Sequence, residues 1–205
     1  MPIDAWFPTF VYSERLRGSS LTTFNQDLAE ECYQIKDYDL EGQEWSEDNY
    51  LGGYTSYSSM AELHRFSSSF EKLQKLIDKH VKAFATHLEY DLSGRELEMT
   101  DCWLNIMPAS TVHTSHIHPL STISGTYYVH TPKNCSAIKF EDPRLDKMMA
   151  APPKKAKHSK QARSIVEYPA RAGRVVLFES WLRHEVPPAN TDEDRISVSF
   201  NYNWF

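Results

Sequence analysis

Hydrophobic and polar positions follow two different rhythms along this chain. In the first ninety-odd residues the apolar positions recur at three- and four-residue spacing. Phe24, Leu28 and Cys32 are separated by polar residues, which predicts a helix beginning at Ser19 or Ser20. Phe70, Leu73, Leu76, Ile77, Val81, Phe84, Ala85 and Leu88 mark a wider apolar face and predict a second, longer helix from about Ser67 to Glu89. "DLSG" then breaks the pattern. Residues 1–16 read as extended, because "WFPTFVY" is aromatic and β-branched and is interrupted by Pro8. The span 36–58 reads as acidic and turn-rich.

After residue 95 the period shortens. "LEMTDCWLNIM", "SGTYYVHT", "SAIKF", "SIVEYPA", "GRVVLFES" and "RISVSFNYNW" are short β-type runs separated by turn residues. In the last of them Ile196, Val198, Phe200, Tyr202 and Trp204 share one face, and Arg195, Ser197, Ser199, Asn201 and Asn203 the other. Leu177, Phe178 and Trp181 read as core. Strands that follow helices predict an α+β protein, and this many short strands suit a jelly roll backed by the N-terminal helices. The segment 142–163 does not fit the barrel. Its Lys, Arg and Pro residues suit a solvated loop, or a mobile lid that favours an acidic substrate or partner.

Length and composition narrow the class. The 205 residues predict one domain, 1–205, with a helical and extended part over 1–95 and a jelly-roll core over 96–205. A net charge of −6 argues against a nucleic-acid partner. No apolar run is long enough to span a bilayer and the start lacks a signal-peptide pattern, so no membrane partner is expected. Cys32, Cys102 and Cys135 are odd in number and far apart, which reads as reduced thiols in a cytoplasmic protein. Edge strands make a homodimer plausible.

The chemistry concentrates in "HTSHIHPLSTISGTYYVH", residues 113–130, which holds four of the nine histidines. On an extended segment residues two apart point the same way, so His116 and His118 aim at one point while Ile117 points elsewhere. His113 is an odd number of positions away and is the weaker ligand candidate. Imidazole suits iron, zinc, copper or nickel, although a lone pair of histidines also occurs in cores and on surfaces. A third ligand is available in "LFESWLRHEVPPA": His184 follows an apolar strand and precedes Pro187 and Pro188. Glu179 and Glu185 compete with it and rank below it. Arg195 is either a rim ion pair or a clamp that grips a carboxylate with two parallel hydrogen bonds.

Taken together, these motifs resemble the Fe(II)/2-oxoglutarate-dependent oxygenases, and more narrowly a bacterial and phage group of prolyl-hydroxylase-like members. The resemblance is carried by "FPTFVY", "TDCWLNIMP", "HIHPLSTISGTYYV", "FEDPR", "GRVVLFESWLRHEVPP" and "DRISVSFNYNW". It implies a double-stranded β-helix with Fe(II) in the barrel mouth and 2-oxoglutarate as co-substrate. It also implies that His116 and His184 are metal ligands, that Arg195 and Ser197 hold the distal carboxylate of 2-oxoglutarate, and that Tyr128 reaches the same carboxylate. Trp103, Asn105 and Met107 share a strand face expected to line the pocket, with Asn105 the best polar candidate there. The family pattern carries Asp or Glu where this chain has His118, which leaves the site about one unit more positive. Ligating nitrogens must be unprotonated, so activity is expected to fade on the acid side, near ~6.5 or below. Two other readings stay open: a three-histidine, cupin-like metalloenzyme that does not use 2-oxoglutarate, and a non-catalytic metal-binding domain. The oxidised substrate is not named by the sequence.

Overall fold

A computed structural model describes residues 2–18 and 20–205. The chain opens with β1 (Val11–Arg15), α1 (Leu21–Tyr38), α2 (Leu40–Asn49), β2 (Tyr54–Thr55), α3 (Leu63–Phe66) and α4 (Ser68–His87). Eight further strands follow: β3 (Leu97–Met107), β4 (His113–His116), β5 (Ile123–His130), β6 (Ile138–Glu141), β7 (Ile165–Tyr168), β8 (Arg174–Glu179), β9 (His184–Val186) and β10 (Arg195–Trp204). They form a six-stranded sheet ordered β1-β8-β5-β10-β3-β2 and a four-stranded sheet ordered β4-β9-β6-β7. Every strand pair is antiparallel. This is the expected α+β double-stranded β-helix with helices at its back.

The two-residue period of each strand builds two cores from one sheet. Leu104, Ile106, Ile123, Tyr127, Val175, Leu177, Val198 and Phe200 face the helices and meet Leu28 of α1 and Phe70, Ile77 and Val81 of α4. The alternate residues Met107, Tyr128, Val176 and Phe178 face the small sheet and meet Ile138, Phe140 and Val186. Gly125 sits where a side chain is excluded: a Cβ there would lie 2.6 Å from the Phe200 ring and 2.7 Å from Leu177. The two long helices fall where the apolar spacing put them. Ser67 caps α4 by accepting from the amides of Ser69 and Phe70. The helix expected from Ser19 or Ser20 starts at Leu21 with Ser20 preceding it, and Ser19 lies outside the described residues.

Three readings need correction. The acidic stretch 36–58 contains the helix α2, whose buried residues are only Gly42 and Ser46. It presents small polar groups rather than an apolar stripe, so periodicity gave no sign of it. Asp39 starts it by accepting from the Gly42 amide at 3.0 Å. Among the described residues 2–16 only Val11–Arg15 forms a strand, paired with β8. Trp181 is 46% exposed, because it lies in the turn between β8 and β9 and not on a strand. The basic segment is an exposed excursion between β6 and β7 with two single-turn 3-10 helices, closed at its base by the Asp142 amide donating to the Ser164 carbonyl. No described helix is long and apolar enough to cross a membrane.

Candidate metal centre

The small sheet carries two of the histidines opposite one another. β4 and β9 are paired so that His116 faces His184 directly across the ladder, with ring centroids 4.3 Å apart. β4 ends at His116. His118 is held by the next turn, where its backbone amide donates to the Ser180 carbonyl at 2.9 Å. This returns the His118 ring to the same side, stacked on His116 at 5.3 Å and edge-on to His184 at 5.0 Å. One ring nitrogen from each of the three lies within 4.8 Å of the others.

The hydrogen bonds decide which nitrogen each ring offers. Nδ1 of His116 lies 2.6 Å from the Thr114 carbonyl, and Nδ1 of His184 lies 2.9 Å from the Leu182 carbonyl. A carbonyl only accepts, so both Nδ1 atoms carry the proton and both Nε2 atoms keep a free lone pair. Nδ1 of His118 bonds the Asn201 carbonyl oxygen at 2.7 Å and the Ser124 hydroxyl at 2.8 Å. Burial favours neutral rings. It depresses His118 to about 4, and it depresses His184 to about 2 with help from the neighbouring His116 and His118. His116 is lowered too, first by burial. Three neutral imidazoles with outward Nε2 lone pairs are the donor set a borderline transition metal takes.

The competing candidates point elsewhere. His113 rests against Tyr50 at 4.6 Å, outside the triad. Glu179 accepts from the Tyr90 hydroxyl at 2.8 Å, and Glu185 lies opposite Lys139 in the β6–β9 ladder.

Beside the triad, a cavity of about 50 Å³ runs between the sheets to Arg195, Ser197 and Ser199. Arg195 is 4% exposed and, among the described residues, pairs with no carboxylate. Its Nη1 donates to the Met107 sulfur at 2.8 Å, its Nε has no partner, and its guanidinium lies 5.0 Å over the Tyr128 ring. The hydroxyls of Tyr50, Thr111 and Tyr128 are also buried without partners. A buried cation among unpaired donors is costly unless an anion joins it, so this end of the cavity has the chemistry of a carboxylate pocket. Ser197 lies in the same wall, opposite Asn105 on β3 and Tyr128 on β5. Asn105 is one step further from the cavity, with its Oδ1 accepting from Thr55 at 2.9 Å and its Nδ2 donating to Ser199 at 3.0 Å. Its amide is engaged in holding β2 and β10 to β3.

On the other side of the histidines a cleft of about 260 Å³ opens to solvent. Trp45, Tyr50, Tyr57 and Trp103 form its aromatic walls, and no Asp, Glu, Lys or Arg lines it. Trp45 and Tyr50 come from the segment read as turn-rich, so the sequence gave no warning of them. Asn201 falls on the strand face that alternation gave it, whereas Ser124 carried no sequence signal, and the roles of both depend on three-dimensional neighbours.

Residues 101–201 match the sequence profile of a family described as "Putative 2OG-Fe(II) oxygenase". Among solved structures, a Pseudomonas putida prolyl-4-hydroxylase is similar at a TM-score of 0.61 with 15% identity, over 95% of this chain and 92% of that one. The epimerase SnoN, solved with Fe3+, alpha ketoglutarate and nogalamycin RO, is similar at 0.63 with 12% identity, over 95% and 78%. HygX from Streptomyces hygroscopicus, solved with nickel and 2-oxoglutarate, is similar at 0.62 with 12% identity, over 95% and 83%. No curated protein matches the chain in sequence.

Proposed function

We propose, from the match of residues 101–201 to the 2OG-Fe(II) oxygenase family, that the chain is a 2-oxoglutarate-dependent dioxygenase in which His116, His118 and His184 would hold Fe(II) through Nε2. The observation that carries this reading is the pairing of a triad of neutral imidazoles, His184 buried and His116 and His118 half-buried, with a buried guanidinium that has no carboxylate partner at the far end of one cavity. Arg195 grips the distal carboxylate of 2-oxoglutarate, with Ser197 beside it and the Tyr128 hydroxyl, left unbonded in the protein, as an additional donor. Asn105 shapes this pocket by fixing Ser199. When bound, the iron supplies oxygen activation coupled to decarboxylation of the co-substrate.

The protein's part is placement and exclusion of water. Phe178 packs 4.5 Å from the His184 ring and, with Ile138 and Val186, makes the wall between triad and arginine apolar. The substrate would enter the aromatic cleft, whose lining includes His116 and His118, so the cleft would hold its reacting group beside the histidines that would bind the iron. The lack of any ionic side chain in that lining favours an uncharged group at the reacting position. The three cysteines are free thiols, two of them buried, which suits a reducing cytoplasm.

The direct test is anaerobic addition of Fe(II) and 2-oxoglutarate to the purified protein. The visible absorption band of a metal–keto-acid chelate is expected in the wild type and absent in His184→Ala. Stoichiometric iron without the band would favour a three-histidine metalloenzyme that does not use 2-oxoglutarate.

A further inference from the structure

Three neutral ligands leave the charge of a divalent ion uncompensated, and no carboxylate lines either cavity beside the triad. One carboxylate is nevertheless wired to a ligand. Asn201 and Asp101 lie directly opposite in the β10–β3 ladder, and the Asn201 Nδ2 donates to the Asp101 Oδ2 at 3.3 Å. The other end of the same amide accepts from the His118 side, with Oδ1 2.7 Å from Nδ1. The register shifts between Asn201 and Tyr202, and irregularities of this kind turn side chains out of the regular ladder. Ser124, opposite Asn201 on β5, donates to the same Oδ1 at 2.8 Å and touches Ser180 at 2.7 Å. The Thr100 hydroxyl donates to Asp101 at 2.8 Å.

We propose that Asp101 is a positioning residue for the metal: through Asn201 it sets the tautomer of His118 and supplies the negative charge that the ligand set lacks. The inference rests on the metal-centre reading above. Its logic is one of hydrogen-bond polarity. A carboxylate only accepts, so Asp101 requires the NH₂ end of the Asn201 amide. That turns Oδ1 toward His118, and an acceptor there requires the proton on Nδ1. Nε2 is left with its lone pair facing the metal position. Without Asp101 the amide is free to reverse, present NH₂ to Nδ1, and drive the proton onto Nε2, where it blocks coordination. The Asp101 charge also polarises His118 toward a stronger donor, as carboxylate–histidine pairs do at metal sites generally.

The test is Co(II) affinity by competition with a chelator, together with heteronuclear NMR of the imidazole nitrogens in the metal-free wild type. Asp101→Asn should weaken Co(II) binding about tenfold or more. Adding Asn201→Asp to that variant puts an acceptor-only group on Nδ1 and should recover most of the loss, which a merely structural role for Asp101 would not allow. The NMR measurement needs no variant and should find His118 protonated on Nδ1. Asp101→Asn binding Co(II) within about twofold of wild type, a double variant no tighter than the single, or His118 protonated on Nε2 would each overturn the proposal. A wild type that takes up no Co(II) sinks the metal-centre reading instead, and the tautomer still decides the relay.

Discussion

Replacing Arg195 by Met should make the metal-free protein more stable and the co-substrate site nearly useless. The wild-type guanidinium is 4% exposed, its Nε is unbonded, and its neighbours are a thioether, a phenol ring and unpaired hydroxyls. A buried cation without an anion costs several kcal/mol, and an apolar side chain of similar volume removes that cost. Some of the gain is lost with the packing on Tyr128, so a net stabilisation of about 1 to 3 kcal/mol is expected, or roughly 3 to 10 °C in Tm for a chain of this size. Ligand binding moves the other way. Truncating one partner of a buried, hydrogen-bonded charge pair costs about 2 to 4 kcal/mol, which at about 1.4 kcal/mol per decade weakens 2-oxoglutarate about 30- to 700-fold. Urea unfolding of the metal-free protein measures the first quantity, and titration of the Ni(II)-loaded protein with 2-oxoglutarate measures the second. An Arg195→Met protein that is destabilised and binds 2-oxoglutarate within about threefold of wild type would refute the reasoning, because the arginine would then be a structural residue.

Four further outcomes follow from the same geometry. His118 and His184 are depressed to about 4 and about 2 from an unfolded value near 6.5, so the unfolded chain binds protons the folded one does not. Metal-free stability should therefore fall as pH drops from about 6.5 toward about 4, by up to about 1.4 kcal/mol per pH unit for each imidazole. Urea unfolding in a chelator at several pH values checks this, with His184→Gln expected to flatten the slope and an unchanged slope counting against it. Metal affinity should hold to lower pH than the free imidazole value of ~6.5 suggests, because the folded site has already shed these protons. Tyr50→Phe deletes a buried hydroxyl that has no partner. Stability should be unchanged or slightly higher, while 2-oxoglutarate affinity drops about tenfold if the hydroxyl meets the carboxylate, measured by the same titration. Gly125→Ala forces a Cβ to 2.6 Å from the Phe200 ring and should cost about 1 to 3 kcal/mol of stability. Because Gly125 faces the helix-side core, metal stoichiometry should survive, and its loss would refute that separation.

The sequence by itself determined the features that depend on neighbours in the chain. Helix α4 follows from an apolar face that repeats every three to four residues, and β10 from an alternation that puts Phe200 and Asn201 on opposite sides. Periodicity also placed Arg195, Ser197 and Ser199 on one face before any fold was in view, and it set His116 and His118 two apart. It could not find α2, because that helix buries only Gly42 and Ser46 and is fixed by tertiary partners, with the Tyr54 and Ser59 hydroxyls both donating to Asp39. Nor could it pair His116 with His184, which are joined only because β4 and β9 are neighbours in the small sheet. The tautomers, the burial of Arg195 without a carboxylate and the Asp101–Asn201–His118 chain were decided there as well. The physical reason is range. Secondary structure answers to spacing along the backbone, whereas a metal site answers to which lone pairs and charges share a few ångströms of low-dielectric space. That depends on strand order and register, and neither is encoded locally.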